Sequence, residues 1–166
     1  MPTFTAPAAL WNWTIEVPVT ETEVHRALVA VLGRPVLPLS GADPDLLPSE
    51  AVFCDVWQRP GDFPTSVDCY RAPVQPAETM VVAAFAGQIG ERCLVPDDTV
   101  NPGRFLLVNP DGTVRPVHLD VEDTDDGEVL SNLRLCTASD PWCREWEQCA
   151  QSRWAPDSVV PAPAAA

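Results

Sequence analysis

The sequence predicts an α+β domain in which two or three helices pack on a mostly antiparallel sheet. Short apolar runs recur between turns rich in proline, glycine and aspartate, the pattern of strands joined by hairpins. Two longer runs carry apolar residues at helical spacing and end on a glycine. Hairpin connections outnumber crossover connections, which favours an antiparallel sheet over a parallel one. With 166 residues, 46 % of them apolar, and six tryptophans, the chain can bury a full core. The expected domain covers residues 1–154, and the Pro/Ala-rich tail at 155–166 is not expected to fold.

The elements follow in the order β-α-β-β-α-β-β-β-α. Residues 11–17 (WNWTIEV) read as a strand ended by Pro18. Thr20 and Glu23 form a capping-box pair. Val24, Ala27, Leu28, Val31 and Leu32 then continue as a helix closed by Gly33. Residues 34–49, with four prolines, read as a loop. Residues 50–58 and 65–71 form a hairpin across the turn-rich connection 59–64, with Phe63 held between two prolines at a stiff tip. Residues 76–89 give a second helix, apolar nearly all round and therefore expected to lie centrally against the sheet, with Gly90 just past its end. Residues 92–96 and 105–109 are short strands. Asn109-Pro110-Asp111-Gly112 has the composition of a type I turn, and residues 114–122 return as its partner strand. A last helix starts with Asp140 as N-cap and Pro141 in its first turn, placing Trp142, Trp146 and Cys149 on one stripe.

Charge is concentrated unevenly. Of the net −14, half falls in residues 97–128, where nine carboxylates face Arg104 and Arg115 alone. A negative field of this kind repels nucleic acid and attracts a basic partner. All ten cations are arginine, which removes Schiff-base chemistry and a P-loop lysine. No apolar run is long enough to span a bilayer, and the first residues lack a signal-peptide pattern, so the expected setting is cytoplasmic, away from membranes.

Six cysteines stand at 54, 69, 93, 136, 143 and 149. None is paired in a Cys-x-x-Cys motif, and no histidine lies near the 136/143/149 trio in sequence. The expectation is six reduced, buried side chains acting as small apolar groups. No metal and no cofactor are expected.

Two constellations invite a chemical reading. Asp97, Asp98, Asp120 and His118 could supply a metal-dependent hydrolase, although adjacent aspartates on a strand point to opposite faces. The acidic run 122–128 fails as an EF-hand, because the twelfth loop position falls on Leu133. His25 and His118 read as surface or hydrogen-bonded structural histidines, since no nucleophile signature accompanies them. Catalytic residues are therefore not expected, and a regulatory or adaptor domain that binds a partner through Trp57 and Phe63 is the other alternative. The residues expected to meet a partner are Asp97, Asp98, Asp120, Glu122, Asp123, Asp125, Asp126 and Glu128, together with Trp57, Arg59 and Phe63.

The stretch LVPDD (94–98), Asn101-Pro102, RFLLV (104–108), Pro110-Asp111-Gly112 and VHLD (117–120) resembles small bacterial immunity proteins, the inhibitors encoded beside secretion-system toxins. The resemblance covers the middle of the chain and transfers no individual residue. It implies a non-enzymatic inhibitor that caps a cognate toxin domain. The acidity fits a toxin with a basic cleft.

Overall fold

The computed structural model describes residues 8–97, 101, 103–137, 140–147 and 149. Its strands are β1 (Ala8–Ile15), β2 (Val36–Leu37), β3 (Val52–Gln58), β4 (Thr65–Pro73), β5 (Cys93–Pro96), β6 (Arg104–Val108), β7 (Val114–Thr124) and β8 (Gly127–Leu135). Its helices are α1 (Glu21–Leu32), α2 (Glu78–Ile89) and α3 (Pro141–Glu145). One sheet holds all eight strands in the order β2-β3-β4-β1-β5-β6-β7-β8. Every pairing is antiparallel except β2 with β3. The α+β class predicted from sequence is the class observed.

Local chemistry explains the elements that were predicted. The Thr20 hydroxyl accepts from the Glu23 amide at 3.3 Å, while the Glu23 carboxylate accepts from the Thr20 amide at 2.9 Å, completing the capping box. Gly33 and Gly90 close α1 and α2 in the left-handed conformation. The 109–112 turn forms with the Gly112 amide donating to the Asn109 carbonyl at 2.8 Å. His25 is the hydrogen-bonded structural histidine expected, its Nε2 lying 2.8 Å from the Cys54 carbonyl.

Two strands were missed. β2 is only two residues long and sits within a proline-rich loop, too short to show a period. β8 is obscured in the sequence because the acidic run 122–128, which carries no strand alternation, is the closing end of a hairpin. β7 runs to Thr124, the chain turns at Asp125 and Asp126, and β8 returns from Gly127. The second helix also differs from expectation: it buries Val81, Val82, Phe85 and Ala86, whereas Met80 and Ala84 are exposed.

The sheet buries both faces. On one face, α1 and α2 cover Trp13, Ile15, Val67, Cys93, Val95, Leu106 and Val108, and Trp13 meets Phe85 edge-on with ring centroids 5.3 Å apart. On the other face, Leu94, Leu107, Val117, Leu119 and Leu130 form a second cluster around Phe63. The loop between β3 and β4 supplies Phe63 by folding over β8. There the Asp62 amide donates to the Leu130 carbonyl at 2.8 Å, and the Asp62 carboxylate accepts from the Asn132 amide at 3.2 Å. Gly61 is required at this crossing. Its φ is +106°, and a Cβ there would stand 2.8 Å from the Leu130 carbonyl oxygen.

Two expectations are corrected here. Phe63 is not held out on a loop tip: it is 4 % exposed, because the apolar ring gains more from the second core than from solvent. The cysteines are not all reduced either. Cys54 and Cys69 stand directly opposite on β3 and β4, with Cα atoms 4.2 Å apart, and form a disulfide.

Replacing Phe63 by Ala is predicted to cost about 3–5 kcal/mol of folding stability, read from urea midpoints. Replacing exposed Trp57 by Ala should move the midpoint far less.

Candidate functional site

β7 is the longest strand, and its two halves have different neighbours. Its first half, residues 114–118, pairs with β6 on one side. Its second half, residues 120–124, pairs only with β8 and runs past the end of β6. The pairing with β8 is interrupted between His118 and Asp120 by a bulge, where Asn132 has a positive φ of 56°. The bulge turns the Asn132 side chain toward Asp120, to which it donates at 2.8 Å; Arg134 donates to the same carboxylate at 3.0 Å. These two hydrogen bonds, Asn132 first, hold the Asp120 carboxyl below its usual pKa.

The outer hairpin end carries Glu122, Asp123, Asp125, Asp126 and Glu128, all exposed. Asp123 and Glu128 are direct cross-strand partners, an arrangement of like charges that destabilises a hairpin. Among the described residues the ion pairs are Arg92–Glu16, Arg104–Asp97 and Arg134–Asp120, so none engages these five carboxylates. The Arg59 guanidinium lies against Gly127, where a Cβ would come within 3.2 Å of it. Arg59, Phe63, Ser66, Glu128 and Leu130 line a small cleft of about 80 Å³. Trp57, whose cross-strand partner is Ser66, stands beside this cleft and is 48 % exposed. The fold therefore gathers Trp57, Arg59 and the acidic hairpin end into one region, although they are about seventy residues apart in sequence.

Asp97 does not belong to that region. Its side chain is 2 % exposed and forms a buried ion pair with Arg104, because an uncompensated charge at this depth would be costly. This removes Asp97 from the expected docking set. Asp98 lies outside the described residues.

The inner half of β7 builds a second site. Arg104, His118 and Arg134 occupy one row across β6, β7 and β8, and strand alternation turns Arg104 and His118 to the face that carries the helices. His118 is buried. The cysteines predicted to lack a nearby histidine converge on it. The His118 Nε2 lies 3.0 Å from the Cys143 Sγ and 3.8 Å from the Cys149 Sγ, and the Cys143 and Cys136 sulfurs are 3.5 Å apart. Cys136 follows β8 and is held by its amide, which donates to the Pro116 carbonyl at 3.1 Å. Two successive turns, Trp146 amide to Cys143 carbonyl and Cys149 amide to Trp146 carbonyl, bring Cys143 and Cys149 together. Trp146 packs on the cluster as expected. α3 closes at Glu145 and helical backbone reappears at Glu147 and Cys149, so the predicted single helical stripe is interrupted at Trp146.

Burial raises the Cys136 thiol to about 12 and also raises Cys149. Burial, and then the charge of Arg104, lowers the pKa of His118. Of the residues in the hydrolase reading, Asp97 is tied to Arg104, Asp120 to Asn132 and Arg134, and His118 faces sulfur. A groove of about 570 Å³ between α1 and the end of α2 brings Glu23, Arg26 and Glu91 together, and Glu23 is already engaged in capping α1.

Comparison with known proteins finds no matching family model, curated protein or solved structure.

Since the folded-state pKa of Asp120 is depressed, its contribution to stability is present above the ordinary carboxylate value and is lost as pH falls through the lowered one. Asp120→Asn is predicted to flatten the stability profile from about pH 4 downward, measured as urea midpoints at successive pH values.

Proposed function

We propose that this chain is a non-enzymatic binding protein that neutralises a basic partner through the outer end of the β7–β8 hairpin. The observation that carries this reading is the set of five exposed carboxylates that no described arginine pairs with. Two of them face each other across the hairpin. Holding like charges together costs stability in the free protein, and a cationic partner surface reverses that cost on binding. Trp57 and Arg59 adjoin the same end and provide the aromatic and guanidinium contacts that dominate protein interfaces. The revised docking set is Trp57, Arg59, Glu122, Asp123, Asp125, Asp126 and Glu128, with Asp120 at its inner edge.

The partner class comes from the resemblance to bacterial immunity proteins. We assign it as a cognate toxin domain whose basic cleft the hairpin enters. Residence in the cytoplasm belongs to the same proposal. The Cys54–Cys69 bridge weighs against it, because disulfides persist in oxidising compartments. Within the described residues, no helix is long and apolar enough to cross a membrane.

Co-expression with the product of the neighbouring gene is expected to yield a complex whose affinity falls with salt. Reversing Asp123, Asp125 and Asp126 to Arg should weaken it at least about tenfold and remove most of the salt dependence. Binding that remains equally tight and equally salt-dependent after the reversal defeats the acidic-hairpin reading. Trp57→Ala should cost about 2 kcal/mol or more if the aromatic anchors the interface.

A further inference from the structure

The cluster of His118, Cys136, Cys143 and Cys149 is independent of the docking surface and has a chemistry of its own. All four residues are buried, and their donor atoms lie within 4.8 Å of one another. A tetrahedral zinc site, with Zn–S near 2.3 Å and Zn–N near 2.0–2.1 Å, separates its sulfurs by about 3.8 Å and sulfur from nitrogen by about 3.6 Å. The observed sulfur–nitrogen separations of 3.0 and 3.8 Å lie on either side of the second value, and the sulfur–sulfur separation of 3.5 Å is slightly short of the first. Shifts well under the length of a side chain would bring the four atoms onto one ion.

Packing alone gives the cluster little reason to form. Among the described residues, the apolar group at this end of the molecule consists of three cysteines with Trp146 against them. That is a small core for a segment whose helix has five residues and sits near few residues of the other elements. Three sulfurs and an imidazole in one small volume make only weak hydrogen bonds with one another and are favourable as metal ligands. The donor set is soft, which selects zinc over magnesium or calcium. Four protein ligands leave no open position, which marks a structural site rather than a catalytic one.

The surroundings fit the charge of such a centre. Three thiolates and a divalent ion carry one net negative charge. Arg104, fully buried beside His118 and hydrogen-bonded to the Cys136 side chain, supplies positive charge next to it. Asp97 fixes that guanidinium from the other side. In His118, Nε2 is the ring nitrogen that meets the sulfurs, while Nδ1 is buried with no hydrogen-bond partner among the described residues, so the tautomer protonated on Nδ1 leaves the Nε2 lone pair facing them.

We propose that His118, Cys136, Cys143 and Cys149 bind one structural zinc ion that clamps the 136–149 segment across the inner half of β7. On binding, three thiol protons pass to solvent and the ion takes three thiolates and the neutral imidazole. The spacing, Cys-x6-Cys-x5-Cys with the histidine on an earlier strand, is not that of a zinc finger.

The full chain, expressed with added zinc and purified under reducing conditions without chelator, is expected to carry about one zinc per molecule by elemental mass spectrometry. Cys143→Ser and Cys149→Ser should each abolish most of that zinc. Cys93→Ser, at a buried free cysteine elsewhere in the sheet, should retain it. Because ligand variants can misfold, the wild-type chain stripped with chelator provides a second readout. Cobalt(II) added to it should give the intense visible bands of a tetrahedral site together with thiolate charge transfer. Zinc far below stoichiometry combined with a weak octahedral cobalt spectrum would overturn the proposal. So would full zinc retention in both serine variants, or a Cys136–Cys143 disulfide in the native protein.

Discussion

Everything distinctive in this molecule depends on one long strand paired unequally along its length. β7 is held by β6 over residues 114–118, with β8 joining on the other side at Val117 and His118, and by β8 alone from Asp120 onward. The inner half is buried on both sides, which allows His118 to sit between Arg104 and Arg134 and beneath three cysteines. The outer half leaves the sheet and has room for carboxylates that no core could accept. A bulge at Asn132 marks the change between the two regimes, and the hydrogen bond from Asn132 to Asp120 locks it.

The outer half would be a weak two-stranded ribbon if it stood alone. It is braced by the β3–β4 loop, which places Phe63 in the second core and hydrogen-bonds Asp62 to β8 on both sides of Ser131. That bracing lets the hairpin end tolerate the Asp123–Glu128 repulsion and present its charge in a fixed geometry. Preorganised charge of this kind loses little entropy on docking. Arg59 at Gly127 moderates the field locally without pairing with any one carboxylate by an ion pair among the described residues.

Much of the fold was legible because its signals are local. The Thr20–Glu23 capping box, the two closing glycines and the 109–112 turn each depend on residues within four positions of one another. What was not legible depends on pairing across the chain. Phe63 between two prolines looks the same in sequence whether its loop stands free or folds over β8. The Cys54–Cys69 bridge needs the register of β3 against β4. His118 becomes a neighbour of Cys136 only once β7 and β8 are aligned, and β8 was hidden because its first residues carry the charge of a loop. One signal was available: His118 lies between Val117 and Leu119 in a strand, and Arg104 precedes the strand that must pair with it, so a buried polar row was implied. The acidic cluster was visible from composition, but the burial of Asp97 against Arg104 was not.

Amide hydrogen exchange of the full chain, zinc-loaded against chelator-stripped, tests most directly whether β7 is divided into two independently held halves. Removal of zinc is predicted to speed exchange at residues 117–119 and 134–149 while leaving 122–130 unchanged, since the Phe63 loop holds the outer hairpin. Uniform loosening of the whole hairpin, or no change in either half, would contradict it.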